Sequence, residues 1–196
     1  MRWHRAWLAA LTLVIAGPAV HSNPLARTQL EQALSGFDYL PSRASLDTML
    51  AGDVSGLLVV ATTTDDPDIT TGMRVRAYRA LGQYDADIAR NALTAAIIAH
   101  RDSEAPQARM LLIAAIEGLG AIGGDAAVTV LASTLGNDSR DVRAAAALAL
   151  ADTASPDACS PLRGQNTHET NPQVRAALQA ALLRIDTLCS AGVIPD

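Results

Sequence analysis

The sequence predicts an all-α fold, a solenoid of stacked helix pairs, and three observations predict it. First, one phrase recurs. It reads Met-Arg-Val-Arg-Ala-Tyr-Arg-Ala-Leu-Gly at 73–82 and Leu-Ile-Ala-Ala-Ile-Glu-Gly-Leu-Gly at 112–120. It returns as Val-Arg-Ala-Ala-Ala-Ala-Leu-Ala-Leu-Ala at 142–151 and Val-Arg-Ala-Ala-Leu-Gln-Ala-Ala-Leu-Leu at 174–183. Second, Leu81, Leu119, Leu150 and Leu182 follow one another at 38, 31 and 32 residues. A period in that range marks units that bury their apolar faces only against their neighbours. Third, the chain holds two Trp, three Tyr and one Phe among 196 residues, although 49% of it is hydrophobic. A core of Ala, Leu, Ile and Val suits closely packed helices better than sheets, which favour β-branched and aromatic side chains.

The first 22 residues have the layout of a secretory leader. Arg2 and Arg5 make a basic start, Trp7–Ala16 is an apolar run, and Gly17-Pro18 ends it. Val20-His21-Ser22 then offers small residues for cleavage after Ser22, with Ala19 as the second choice. The run is too short to span a bilayer. No Cys follows it, which argues against a lipid anchor. Every basic residue in the chain is Arg. Without Arg2 and Arg5, thirteen arginines face twenty acids, a net charge of −7. That balance excludes nucleic acid as the expected ligand, because binding it needs clustered cations, and it disfavours an anionic membrane surface.

Taken in order, residues 23–52 are expected to form a helical cap on the repeats at 53–196. Leu25, Leu30 and Leu34 share a helical face ending at Gly36, with Pro24 in the first turn. Phe37 to Ser42 reads as a turn, Ser42 as a helix cap, and Leu46, Met49 and Leu50 as a second short helix stopped by Gly52. Four pairs follow, with first helices near 53–63, 86–100, 125–136 and 156–164. Their second helices lie near 70–83, 106–121, 140–152 and 172–188. Apolar residues recur at i, i+3, i+4 and i+7 in Leu93, Ala96, Ile97, His100 and in Val128, Leu131, Ala132, Leu135. Pro106 and Pro172 fall where helices begin, and Gly123-Gly124-Asp125 separates two helices. The repeated alanines let helix pairs approach closely, so Leu at Ala145 or Ala177 is expected to overpack the stack.

These phrases resemble HEAT repeats, particularly the short class named from phycobilisome lyase subunits. The likeness spans roughly 53–188 and is best from Ile113 to Leu150, where Asp138-Ser139-Arg140-Asp141-Val142-Arg143 matches the turn inside a repeat. The resemblance implies a right-handed α-solenoid of about four helix pairs. It also implies a ladder of turn acids and arginines, for which Arg74, Arg143 and Arg175 are the candidates. In the frame of Leu119 the second repeat puts Leu112 at the ladder position, with Arg109 one turn early. A tetratricopeptide-like adaptor is the rival, suggested by Leu81-Gly82-Gln83-Tyr84, but the recurrent Trp and aromatics of that family are missing.

The candidate residues are few. Cys159 and Cys189 are the only cysteines, and an even count in an exported chain points to a disulfide pinning the last repeat. Free thiols and an intermolecular link are the alternatives. His100, beside Asp102 and Glu104, reads as a solvated helix end whose cation complements the helix dipole. Asp65, Asp66 and Asp68 lack the spacing of a calcium loop. No nucleophile triad, phosphate loop or zinc motif emerges. Arg76, Tyr78 and Arg79 form the one local cluster that suits a protein-binding anchor, since Tyr and Arg dominate interface hot spots. Against it, Arg74 belongs to the ladder and Arg79 can simply be solvated.

The function expected is therefore an exported scaffold, periplasmic or extracellular, that binds an unidentified protein through a concave surface formed by the second helices. Neither catalysis, a cofactor, nor membrane insertion after leader cleavage is expected, and the chain is expected to be a monomer. A lyase-like or cofactor-handling accessory subunit is the alternative, and a structural spacer the third.

Overall fold

The computed structural model describes residues 24–36 and 40–191. The leader expected over 1–22 and the aromatic residues Phe37 and Tyr39 lie outside that range. The described residues form eleven helices and no strand. These are α1 (Pro24–Leu34), α2 (Arg43–Leu50), α3 (Val54–Thr63), α4 (Thr71–Leu81), α5 (Asp87–His100), α6 (Pro106–Ile122), α7 (Asp125–Ala132), α8 (Arg140–Asp152), α9 (Cys159–His168), α10 (Pro172–Arg184) and α11 (Asp186–Ala191). They pack in sequence order as an α-solenoid. The second helices α4, α6, α8 and α10 stand side by side, each in extensive contact with the next. The first helices are spread more widely, with only slight contact between α5 and α7 or between α7 and α9.

Small residues explain the tight row. A Cβ on Gly118 would lie 2.5 Å from the carbonyl oxygen of Tyr78, and one on Gly120 would lie 2.7 Å from the Cβ of Ala149. Backbones therefore touch directly across α4, α6 and α8, which no larger side chain permits. Ala145 and Ala177 sit half-buried beside this row. The recurrent leucines Leu81, Leu119 and Leu150 are buried with Leu58, Leu93, Ile97, Leu112, Ile116 and Leu131 in one continuous core.

Caps follow the expected chemistry. Ser42 and Thr70 accept from the backbone N–H groups of Ser45 and Met73, and Pro106 and Pro172 open α6 and α10. Gly123 and Gly124, at φ 76° and 83°, turn the chain from α6 into α7. Three boundaries differ from expectation. Helix α7 stops at Ala132 rather than 136, because Ser133 and Thr134 turn their hydroxyls onto the carbonyls of Val130 and Leu131. Helix α9 runs on to His168, since Pro161 falls in its first turn, where no N–H is needed. The last second-helix breaks at Ile185 (φ −110°, ψ 16°), so that α11 turns away as a separate element.

The 38-residue spacing also has a structural cause. Helices α5 and α6 have 14 and 17 residues, against 10 and 11 in α3 and α4 and 8 and 13 in α7 and α8. Counted from the cap residue that precedes each second helix (Thr70, Ala105, Ser139, Asn171), the fourth residue on is always Arg: Arg74, Arg109, Arg143, Arg175. Arg109 is thus the ladder residue of its repeat, and an extra helical turn separates it from Leu119. The sequence alignment on the leucines had put Leu112 there.

At the N-terminal end α1 packs on α2 and α4. Arg27 pairs with Asp66 at 2.7 Å and Asp68 at 2.9 Å, tying α1 to the α3–α4 turn. The hydroxyl of Tyr84 donates to Asp47 at 2.9 Å, and the Arg43 guanidinium lies 5.0 Å from the Tyr84 ring centroid. Burial, and then the bond to Asp47, push the Tyr84 phenol up, so it stays a donor. At the other end the sulfur atoms of Cys159 and Cys189 lie at disulfide distance, with Cα atoms 5.6 Å apart.

Candidate interaction surface

The three residues expected as an anchor, Arg76, Tyr78 and Arg79, have different surroundings. Tyr78 is only 5% exposed and sits in the core beneath α4, where burial raises its phenol above the ordinary value. Arg76 turns onto the carbonyl oxygen of Leu34 at the C-terminal end of α1, where a cation also meets the negative end of that helix. Arg79 alone reaches solvent, and it pairs with Glu117 of α6 at 2.6 Å. Closeness in sequence and composition suggests one cluster, whereas a 3.6-residue helix turns these three side chains toward different surroundings.

What the second helices do expose is a row of residues two places before each recurrent leucine: Arg79, Glu117, Leu148 and Ala180. It begins with the Arg79–Glu117 pair and becomes apolar at Leu148, 38% exposed. Half-buried Ile113 and Ala144 lie one turn earlier on α6 and α8, and Met110, 52% exposed, stands near the start of α6. The row ends at Ala180, and polar pairs flank it one and two turns away along α8 and α10. Asp152 pairs with Arg184, and Gln173 donates to Asp141 at 3.5 Å. An apolar centre between polar flanks is the usual anatomy of a protein interface.

The opposite feature is the ladder inside the turns. Arg74 donates to the carbonyls of Ile69, Thr62 and Asp66 at 3.3–3.5 Å. Arg143 donates to the carbonyls of Asn137 (2.8 Å) and Asp138 (3.1 Å), then reaches into the next repeat. There Glu169 accepts from its Nε at 2.9 Å and its second terminal nitrogen at 3.1 Å. The Glu169 side chain is 4% exposed and also accepts from the Asn171 N–H and the Gln165 amide. The Arg143 guanidinium, above all, holds this carboxyl down to about 2. Arg175, in the last repeat, is exposed with no described ladder partner.

The remaining candidates are accounted for locally. His100 is half-buried at the end of α5, and burial pushes its imidazole down. The neutral form is favoured over the dipole-complementing cation expected there. Asp66 accepts from the Asp68 N–H, and both carboxylates serve Arg27. Among the described residues no three His, Cys, Asp or Glu side chains gather as a metal site. No single described helix is long and apolar enough to cross a membrane.

The repeating turn, the arginine at a constant place after it and the side-by-side second helices define the unit. A family profile described as HEAT repeats matches residues 103–183. Over that span the chain is built of HEAT repeats. Among curated proteins the chain finds no match. The matched span runs from the α5–α6 turn to the end of α10. The α3–α4 pair precedes it and places Arg74 at the same ladder position. HEAT repeats generally mediate protein–protein interaction.

Proposed function

We propose that this HEAT-repeat protein is an exported, non-catalytic scaffold that binds a partner protein on the second-helix face, centred on Ile113, Ala144 and Leu148. The observation that carries the proposal is the change along that row from an ion pair to exposed apolar side chains on adjoining helices. The wide spacing of the first helices against the tight second-helix row supports a stack curved toward α4, α6, α8 and α10. Apolar groups at the centre of such a face supply most of the binding energy, while paired charges at its margin exclude water and set orientation. The basic start and apolar run of residues 2–16 support export, as do the two sulfur atoms at bonding distance, because disulfides persist in oxidising compartments. We propose that the Cys159–Cys189 bond forms there and clamps α11 onto the terminal repeat.

A photo-crosslinking residue placed at position 148 in native cells tests the binding face, with position 98 on α5 as the control. Ile98 is also exposed and apolar but lies on a first helix. One discrete adduct from position 148 and none from 98 is expected. Equal adducts from both positions, or none from either, would remove the second-helix face as the docking surface. Alkylation of the same material before and after reduction, read by mass, reports the leader cleavage and the thiol state together.

A further inference from the structure

The turn edge of the stack, away from the second-helix face, carries a cavity of its own. A cleft of about 410 Å³ opens between the α5–α6 turn and the α7–α8 turn, within the size range of pockets that take small ligands or peptide ends. Leu112 and Val142 lie among its apolar residues, and Arg109, Asn137 and Ser139 among its polar ones. It sits where the ladder is broken. In the next repeat Arg143 finds a carboxylate, Glu169, three residues before the start of α10. The residue three before the start of α8 is Asn137, and its side chain serves the Ser139 N–H and the Arg101 carbonyl instead. Arg109 is half-buried and has no hydrogen-bond or ion-pair partner among the described residues.

A second set of donors meets it there. Thr70 and Asn171 cap α4 and α10 with side-chain oxygens, but Ser139 at the start of α8 makes no such bond. The first-turn N–H groups of this 13-residue helix have no side-chain acceptor among the described residues, and Ser139 and Val142 of that turn line the cleft. A guanidinium and an uncapped helix start together call for a carboxylate, the group that completes the neighbouring rung. The rim adds a further requirement. Asp102 is paired with Arg101 at 3.4 Å, whereas the side-chain carboxylates of Glu104 and Asp138, both lining the cleft, have no described partner. A lone anion would meet their repulsion, and a carboxylate with a cation beside it would not.

We propose that this cleft binds a peptide segment of a partner protein, with an acidic side chain seated on Arg109 and the start of α8 and a neighbouring basic side chain facing Glu104 and Asp138. The full chain, 15N-labelled, is titrated with capped peptides of one Glu and one Lys separated by zero to three glycines. Matched peptides carrying Gln for Glu, or Ala for Lys, serve as controls. The Arg109 side-chain resonance and the Ser139–Val142 amides are expected to move with at least one Glu–Lys peptide. Replacing its Glu by Gln should weaken binding by about tenfold or more, the loss of one charge-assisted contact. Arg109→Met should abolish the response, and Arg175→Met, at the same place in the terminal repeat, should leave it intact. Ser139→Asp supplies the missing cap from within, so it should raise the melting temperature while removing the peptide response. Equal binding of Glu and Gln peptides, no response to any spacing, or an unchanged response in Arg109→Met or Ser139→Asp would overturn the proposal.

Discussion

Replacing Glu169 by Ala should be the most damaging single polar change in the described part of this protein. The carboxylate accepts two bonds from Arg143 at 2.9 and 3.1 Å, one from the Asn171 N–H at 2.9 Å and one from Gln165 at 3.2 Å. Its side chain is almost fully buried and that of Arg143 is 17% exposed. Removing one partner of a buried pair costs about 3–5 kcal/mol, because the other charge is left without compensation. Arg143 keeps two carbonyl acceptors and some access to water, so the lower end, about 3 kcal/mol, applies. For a chain of this size that is a fall in melting temperature of roughly 6–12 °C. Glu169→Gln retains an acceptor for Asn171 and should cost about half as much. Glu117→Ala breaks the shorter but half-exposed pair with Arg79, 2.6 Å, and should cost under about 1 kcal/mol. Thermal and urea melts followed by circular dichroism compare the three, and hydrogen exchange should show α9–α11 opening first, since neighbours in a repeat stack are coupled pairwise. If Glu169→Ala costs no more than Glu117→Ala, burial is not what makes this rung matter.

The same group sets an acid dependence. Its folded value lies below its unfolded one, falling from 4.5 to about 2. Its stabilisation is therefore complete above about pH 4.5 and disappears as the pH falls toward 2. The wild type and Glu169→Gln should differ at pH 7 and converge across that interval; a constant gap would contradict the assignment. In the second-helix row, Gly118→Ala and Gly120→Ala should each cost about 1–3 kcal/mol, because the new methyl meets backbone or a neighbouring Cβ. Gly164→Ala in α9, with nothing within 4 Å, should stabilise by about 0.5–1 kcal/mol, and melts of the three variants test the contrast. Reducing the Cys159–Cys189 pair, 30 residues apart, should remove roughly 3–4 kcal/mol by chain entropy. The loss should appear as selective exchange in α11, and reduced protein with unchanged α11 protection would remove the clamp.

Much of the architecture was legible because it rests on local rules. Helices announce themselves by apolar spacing, and their ends by Pro106, Pro172, Ser42 and the Gly123-Gly124 pair, each acting within a turn of its own position. Stacking follows from the period, since each unit leaves a face that only the next can cover. Errors arose where two local signals competed. The hydroxyls of Ser133 and Thr134 ended α7 early. Alignment on the leucines hid the extra turn of α6, although counting from Pro106 rather than back from Leu119 would have placed Arg109 in the ladder.

The interaction surface was less legible, and Tyr78 shows why. A Tyr flanked by arginines has the same composition whether it points into the core or out to a partner. Only the position of α4 against its neighbours turns it inward, and only the place of α1 claims Arg76. Leu148 lies in the same alanine-rich phrase as buried Leu150, and nothing local separates them. Helix content, helix ends, repeat number and the apolar seam were thus determined by the residues themselves, through interactions spanning a few positions. Which arginines close rungs, where a rung stays open and which leucine faces water depended on the register between helices thirty or more residues apart. That register is a property of packing, decided by which backbones can touch at Gly118 and Gly120.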